Sequence, residues 1–203
     1  LAPKRWNGTA VLWLDDCGKS AAQDPAALRL VDSGVAVFGA DLLRQSPTPV
    51  TQTPVVANPR EFAGYTHGYN HSLFAQRTHD VLSIIRFLHN SAPKTDSTPT
   101  RVLVAAWGST GPIALSARAI AGTAIDKLAV DTKGSRFAKV LDYRDPMFLP
   151  GGSKYLDLPG IIALNAPHRT WIAGEGHKPN TLGTDFIEFT PFEGPPEAKS
   201  QSA

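Results

Sequence analysis

One stretch of this 203-residue chain could mount a nucleophilic side chain for attack. Val102-Leu-Val-Ala-Ala-Trp-Gly-Ser-Thr-Gly-Pro-Ile-Ala-Leu115 reads as an apolar strand, a tight glycine-rich turn and a helix. A serine held on such a turn is placed for acyl transfer, and the backbone N–H groups at the helix N-terminus can stabilise an oxyanion. Ser109 supplies the hydroxyl. A hydroxyl is a weak nucleophile at neutral pH, so it needs an imidazole to take its proton. The chain has six histidines, and none follows His177. An enzyme built here would use Ser109 with His177 or His67.

A second cluster lies in Gly64-Tyr-Thr-His-Gly-Tyr-Asn-His71. Tyr65, His67, Tyr69 and His71 could offer stacking and hydrogen bonds to a sugar or acyl group. The reading preferred from residue type is a packed loop with satisfied polar tips, since Tyr and His often sit half-buried. Together with Trp107, the tyrosines would form the stacking surface of a carbohydrate-binding module. His67, His71 and His79 are too scattered between loop and helix for a metal set, and no cofactor is implied. Arg77 and Asp80, at i and i+3, read first as a structural ion pair. Lys19-Ser20 after Gly18 lacks the glycine that a phosphate-binding loop needs, because Trp13 stands at that position.

The elements that must position these residues alternate between strand and helix. Strands are expected at Thr9–Leu14, Val35–Ala40, Arg101–Ala106, Lys127–Val130, Thr170–Ala173 and Phe186–Phe189. Asp24-Pro25 opens a helix running to Gly34, with Asp24 as N-cap and Pro25 at the first helical position. Further helical periods run from Asn70 to Asn90, from Gly111 to Ala121, and through Ile161–Leu164. The proline-rich stretch from Gln45 to Pro59 reads as a surface excursion, and Pro191–Ala203 as a polar tail. This alternation predicts an α/β fold: a doubly wound, mostly parallel sheet of about six strands, with helices on both faces.

Composition narrows the function classes. Lys and Arg total 20 against 18 Asp and Glu, a net charge of +2 that gives no case for nucleic-acid binding. No apolar run is long enough for a membrane span. Cys17, alone in the chain, has no internal disulfide partner and is expected to be partly buried after the first strand. The start at Leu1 rather than Met points to a single domain, residues 1–203, excised from a longer polypeptide.

From the first strand to the last, the chain resembles the α/β-hydrolase superfamily, especially its dienelactone-hydrolase and acetyl-xylan-esterase-like branches. The turn Ala106-Trp-Gly-Ser-Thr-Gly111 resembles the nucleophile elbow, small–x–nucleophile–x–small–small. Aligned without gaps, Gly108 takes the nucleophile's place and the Ser109 N–H that of an oxyanion-hole donor. Ser109 becomes the nucleophile only if one residue is deleted before the helix. Lys19 and Ser20 fall where the resemblance puts the oxyanion loop, and Trp107, Thr110 and Gly111 complete the elbow. His177 falls at the family's acid position, with Glu175 two residues earlier as the substitute acid of the enzyme reading that the resemblance implies, and Pro195 stands where the family histidine would be.

Three failures at three positions imply a domain that keeps the fold and lacks the triad. The expected role is that of an accessory domain beside a catalytic hydrolase domain or subunit, with a carbohydrate or ester as ligand. The alternatives are an active carboxylic-ester hydrolase using Ser109, and a carbohydrate-binding module. Relatives of this type are often exported bacterial proteins, so the resemblance also implies an extracytoplasmic location.

Overall fold

The computed structural model describes residues 1–45, 64, 67–90, 98–176 and 187–189. Tyr65, His177, Phe186, Pro195, the excursion from residue 46 to Pro59 and the tail from Pro191 lie outside the described residues. Among the described residues, six strands form one sheet: β1 (Thr9–Leu14), β2 (Ala36–Gly39), β3 (Arg101–Ala106), β4 (Lys127–Asp131), β5 (Thr170–Ala173) and β6 (Ile187–Phe189). Their order is β2-β1-β3-β4-β5-β6, and every pairing is parallel. The sheet predicted from the alternation is therefore present. The strand preceding the Gly108 turn lies inside it, between β1 and β4.

Helices α1 (Pro25–Asp32), α2 (Leu73–Asn90), α3 (Thr110–Ala121) and α4 (Asp157–Ala163) pack on the sheet. The predicted cap forms at α1, where the Asp24 carboxylate accepts from Ala26 N and Pro25 leads the helix. α1 and a 3-10 turn at Gly18–Gln23 cover one face through Val11, Trp13, Ala22, Ala27 and Val37. α2, α3 and α4 cover the other through Phe74, Ile85, Ile113, Leu115, Leu158 and Ile162. β1 is buried at all six positions, as a strand covered on both faces requires. β3 and β4 alternate between buried and less buried residues.

Two glycines let α3 start close to the strand ends. A Cβ at Gly111 would lie 2.2 Å from the Asp131 carbonyl oxygen, so only glycine lets the first turn of α3 approach β4 this closely. Gly108 carries φ +66° and is discussed below.

One core position defies the usual pattern. Arg118 of α3 is 1% exposed, and its Nε and one terminal nitrogen have no hydrogen-bond partner among the described residues. Burial pushes its guanidinium down, and the field of Asp126 opposes this only in part. Buried donors left unpaired cost stability that an apolar side chain of similar length would not. Arg118→Met is therefore expected to raise unfolding stability by about 1 kcal/mol, measured by urea denaturation. A loss of stability would show that the guanidinium is paired in solution.

Candidate functional site

The site is built where β1 and β3 end side by side. Leu14 pairs with Ala106, and Trp107 N donates to Leu14 O, which brings the residues just beyond the two strands level. Trp107 stacks against Trp13 with ring centroids 4.2 Å apart, so the adjoining core engages the ring that could have served as a stacking surface. Gly108 forms the apex of the turn at φ +66°, a conformation that L side chains rarely adopt. Ser109 follows as the N-cap of α3 with ordinary helical angles, φ −66° and ψ −15°. Thr110 Oγ1 closes the turn by donating to Trp107 O.

The group over this apex is Asp16. Ser109 N donates to Asp16 Oδ1 at 2.9 Å, and Ser109 Oγ donates to the same oxygen. A Cβ added to Gly108 would lie 2.2 Å from Asp16 Oδ2, so the carboxylate occupies the space a side chain at position 108 would enter. Lys133 Nζ sits 3.5 Å from Asp16 Oδ2, a weak and partly exposed ion pair. The Ser109 N–H assigned to an oxyanion hole is thus already bonded to an internal anion at the start of a helix, where negative charge is favoured. Asp16 stands outside the residues that the sequence singles out, as one of an acidic pair between the first strand and Cys17. The parallel pairing of β1 with β3 was the signal that would have placed Asp16 opposite Gly108.

Beyond β4 and β5 lies a second carboxylate. Glu175 is 3% exposed, and Arg136 grips it bidentately, with NH1 to Oε1 at 3.1 Å and NH2 to Oε2. Thr132 Oγ1 donates to the same Oε1. This pairing raises the Arg136 guanidinium, with the Glu175 hydrogen bond as the leading cause. Glu175, the acid of the enzyme reading, is therefore bound by Arg136 and Thr132. The loop it anchors is held again by Asp157, whose carboxylate accepts from Phe137 N and Ala138 N.

The structure places the other predicted residues elsewhere. Lys19 lies in the 3-10 turn, its N and Nζ both on the Asp41 carboxylate, with Nζ 3.0 Å from Oδ2. Ser20 Oγ donates to Cys17 O. Of the first connecting loop, Asp16 rather than either of these reaches the turn. His67 Nε2 lies 3.3 Å from Tyr143 O, and its ring meets those of Tyr143 and Phe148. Its other ring nitrogen, Nδ1, is buried and has no hydrogen-bond partner among the described residues. Tyr69 is 96% exposed, and His71 is exposed as well.

Arg77 and Asp80 both serve the backbone beyond β2: Arg77 Nε donates to Leu43 O, and Asp80 accepts from Leu43 N. Cys17 corrects one expectation, since it is exposed rather than partly buried. The reason is local. Asp15 accepts from Cys17 N through its side chain and from Gly18 N through its carbonyl, turning the chain outward before it can pack. The Asp15 hydrogen bond also pushes the thiol pKa up.

No family model matches the chain, and no curated protein matches it in sequence. Solved structures do. The complex of DcsB with its substrate analogue superposes at TM-score 0.53 with 11% identity, over 94% of this chain and 82% of that one. Est1E from Butyrivibrio proteoclasticus gives 0.51 and 11% identity, over 94% and 81%. The fold is of the α/β-hydrolase type.

Two further structures resemble the chain less closely and are larger than it. A carbohydrate esterase family 15 glucuronoyl esterase from Caldicellulosiruptor kristjansonii gives TM-score 0.46 at 14% identity, over 93% of this chain and 62% of that one. A probable hydrolytic enzyme from Pseudomonas aeruginosa gives 0.42 at 16% identity, over 64% and 34%. The chain therefore spans about a third and under two thirds of their respective lengths. The β3–α3 turn is a strand–turn–helix at the end of an inner strand of the sheet. Here its apex is Gly108 and its neighbour is Asp16.

Proposed function

We propose that this chain is a non-catalytic α/β-hydrolase-type domain of an esterase lineage, acting as an accessory to a catalytic hydrolase domain or subunit. The observation that carries the reading is the Asp16 carboxylate, which stands over Gly108 and takes both Ser109 donors. A carboxylate there repels the negative charge that an acyl-transfer transition state develops, and it fills the donor that should stabilise that charge. Ser109 also has no imidazole partner among the described residues, and a carboxylate alone is a poor base for a hydroxyl. The fold is retained while the chemistry is blocked by the chain's own anion.

The expected outcome is no turnover of a short-chain aryl ester above background, and no labelling by a fluorophosphonate serine probe. The active-esterase alternative predicts the opposite: rapid turnover and labelling, both abolished by Ser109→Ala. Glycan binding without turnover would favour the carbohydrate-binding alternative, with exposed Tyr69 as its first contact to test. Asp16→Ala removes the internal anion and supplies no base, so the variant is expected to stay inactive as well.

A further inference from the structure

Beside the Gly108 turn, a cavity of about 320 Å³ opens between the loop after β4 and the starts of α3 and α4. Its charged wall carries Lys133, Arg136 and Lys139 against one carboxylate, Asp145. Its apolar wall is formed by Phe137, Met147 and Leu158. Cavities of this size, with apolar walls and a few convergent polar groups, are the usual form of a small-molecule site.

We propose that this cavity binds a small amphipathic anion: a compact apolar body bearing one carboxylate or similar group. Three cations against one carboxylate on the wall assign the sign of the charge. Arg136 is anchored by Glu175 and holds the loop in place. Lys133 is only loosely paired, 3.5 Å from Asp16 and with its side chain 63% exposed, so an incoming anion can share it. Lys139 is exposed and has no ion-pair partner among the described residues. The wall's one carboxylate, Asp145, keeps its charge and is held in place by Met147 N, which donates to its Oδ1, so cations still outnumber it. Pro112, in the first turn of α3, closes the cavity. Phe137, Met147 and Leu158 then take the apolar body out of water. This inference does not depend on the chain being inactive, because a bound anion here need not react.

Met147 is the only methionine in the chain and lies on the cavity wall, so a ¹³C-methyl-methionine sample gives a single resonance that reports the site. Phenylacetate, phenethylamine and benzyl alcohol share an aromatic body and differ in charge. Titrating each into the full chain is expected to move the Met147 methyl signal with phenylacetate, and far less with the amine or the alcohol. Lys133→Ala with Lys139→Ala is expected to weaken phenylacetate binding about fivefold or more, with a circular dichroism spectrum like the parent's. An unmoved methyl signal, or equal shifts with all three probes, would overturn the proposal, and both results are readable on the unaltered chain. Ester turnover in the separate assay would overturn the non-catalytic reading and leave this one standing.

Discussion

Replacing Gly108 with serine is expected to destabilise the domain by about 2–4 kcal/mol without creating an esterase. Two physical costs add. A non-glycine residue at φ +66° carries backbone strain on the order of 1 kcal/mol or more. The new Cβ would also lie 2.2 Å from Asp16 Oδ2, so the carboxylate must leave the Ser109 N–H, the Ser109 hydroxyl and Lys133. Losing charge-assisted hydrogen bonds costs about 1–3 kcal/mol. The second cost depends on Asp16 and the first does not. In an Asp16→Gly background, Gly108→Ser should therefore cost only the backbone part, about 1–2 kcal/mol. Urea denaturation of the four proteins in this cycle measures the coupling. Additive effects would mean that Asp16 does not stand over Gly108 in solution. Turnover of an aryl ester by Gly108→Ser alone would mean that a base reaches the turn from outside the described residues.

The second large effect lies at Glu175. Its carboxylate is buried and bonded to Arg136 and Thr132. Among the described residues, truncation leaves the guanidinium with Ser135 O and no bonded counter-charge, and the hydroxyl with Ala173 O alone as acceptor. Removing one member of a buried, hydrogen-bonded ion pair costs about 3–5 kcal/mol. Arg136 is partly exposed, its side chain at 28%, so water recovers part of its charge and about 3 kcal/mol is expected for Glu175→Ala. Removing both charges together, Glu175→Leu with Arg136→Met, should recover much of that loss, because no buried charge is then left unpaired. Thermal unfolding of the two variants tests this. A near-neutral Glu175→Ala would show that the loop after β4 does not rely on the pair. If the loop does rely on it, Glu175→Ala should also blunt the response of the Met147 methyl signal to phenylacetate, since Arg136 would no longer be anchored.

Much of the fold was legible because its signals are local. A six-residue apolar run such as Thr9–Leu14 must be covered on both faces, and it is. Asp24-Pro25 marks a helix start through cap chemistry that needs nothing beyond the next two residues. Strand bounds at Thr9–Leu14, Arg101–Ala106 and Thr170–Ala173 match the expectation, whereas β2 spans Ala36–Gly39 rather than Val35–Ala40 and β4 ends at Asp131 rather than Val130. Cys17 was misjudged because proximity to a strand does not say which way the following turn faces.

The sequence by itself determined the alternation of strands and helices, the strand–turn–helix at Gly108 and the lack of any histidine after His177. Apolar period and turn chemistry act within a few residues, so they can be read in order along the chain. Only the tertiary structure decided what stands opposite what. Asp16 and Ser109 lie 93 residues apart and meet because β1 and β3 pair in parallel with Leu14 against Ala106. Arg136 finds Glu175 across the ends of β4 and β5 in the same way. Such contacts follow from strand order, register and loop path, and each is fixed by the packing of the whole sheet.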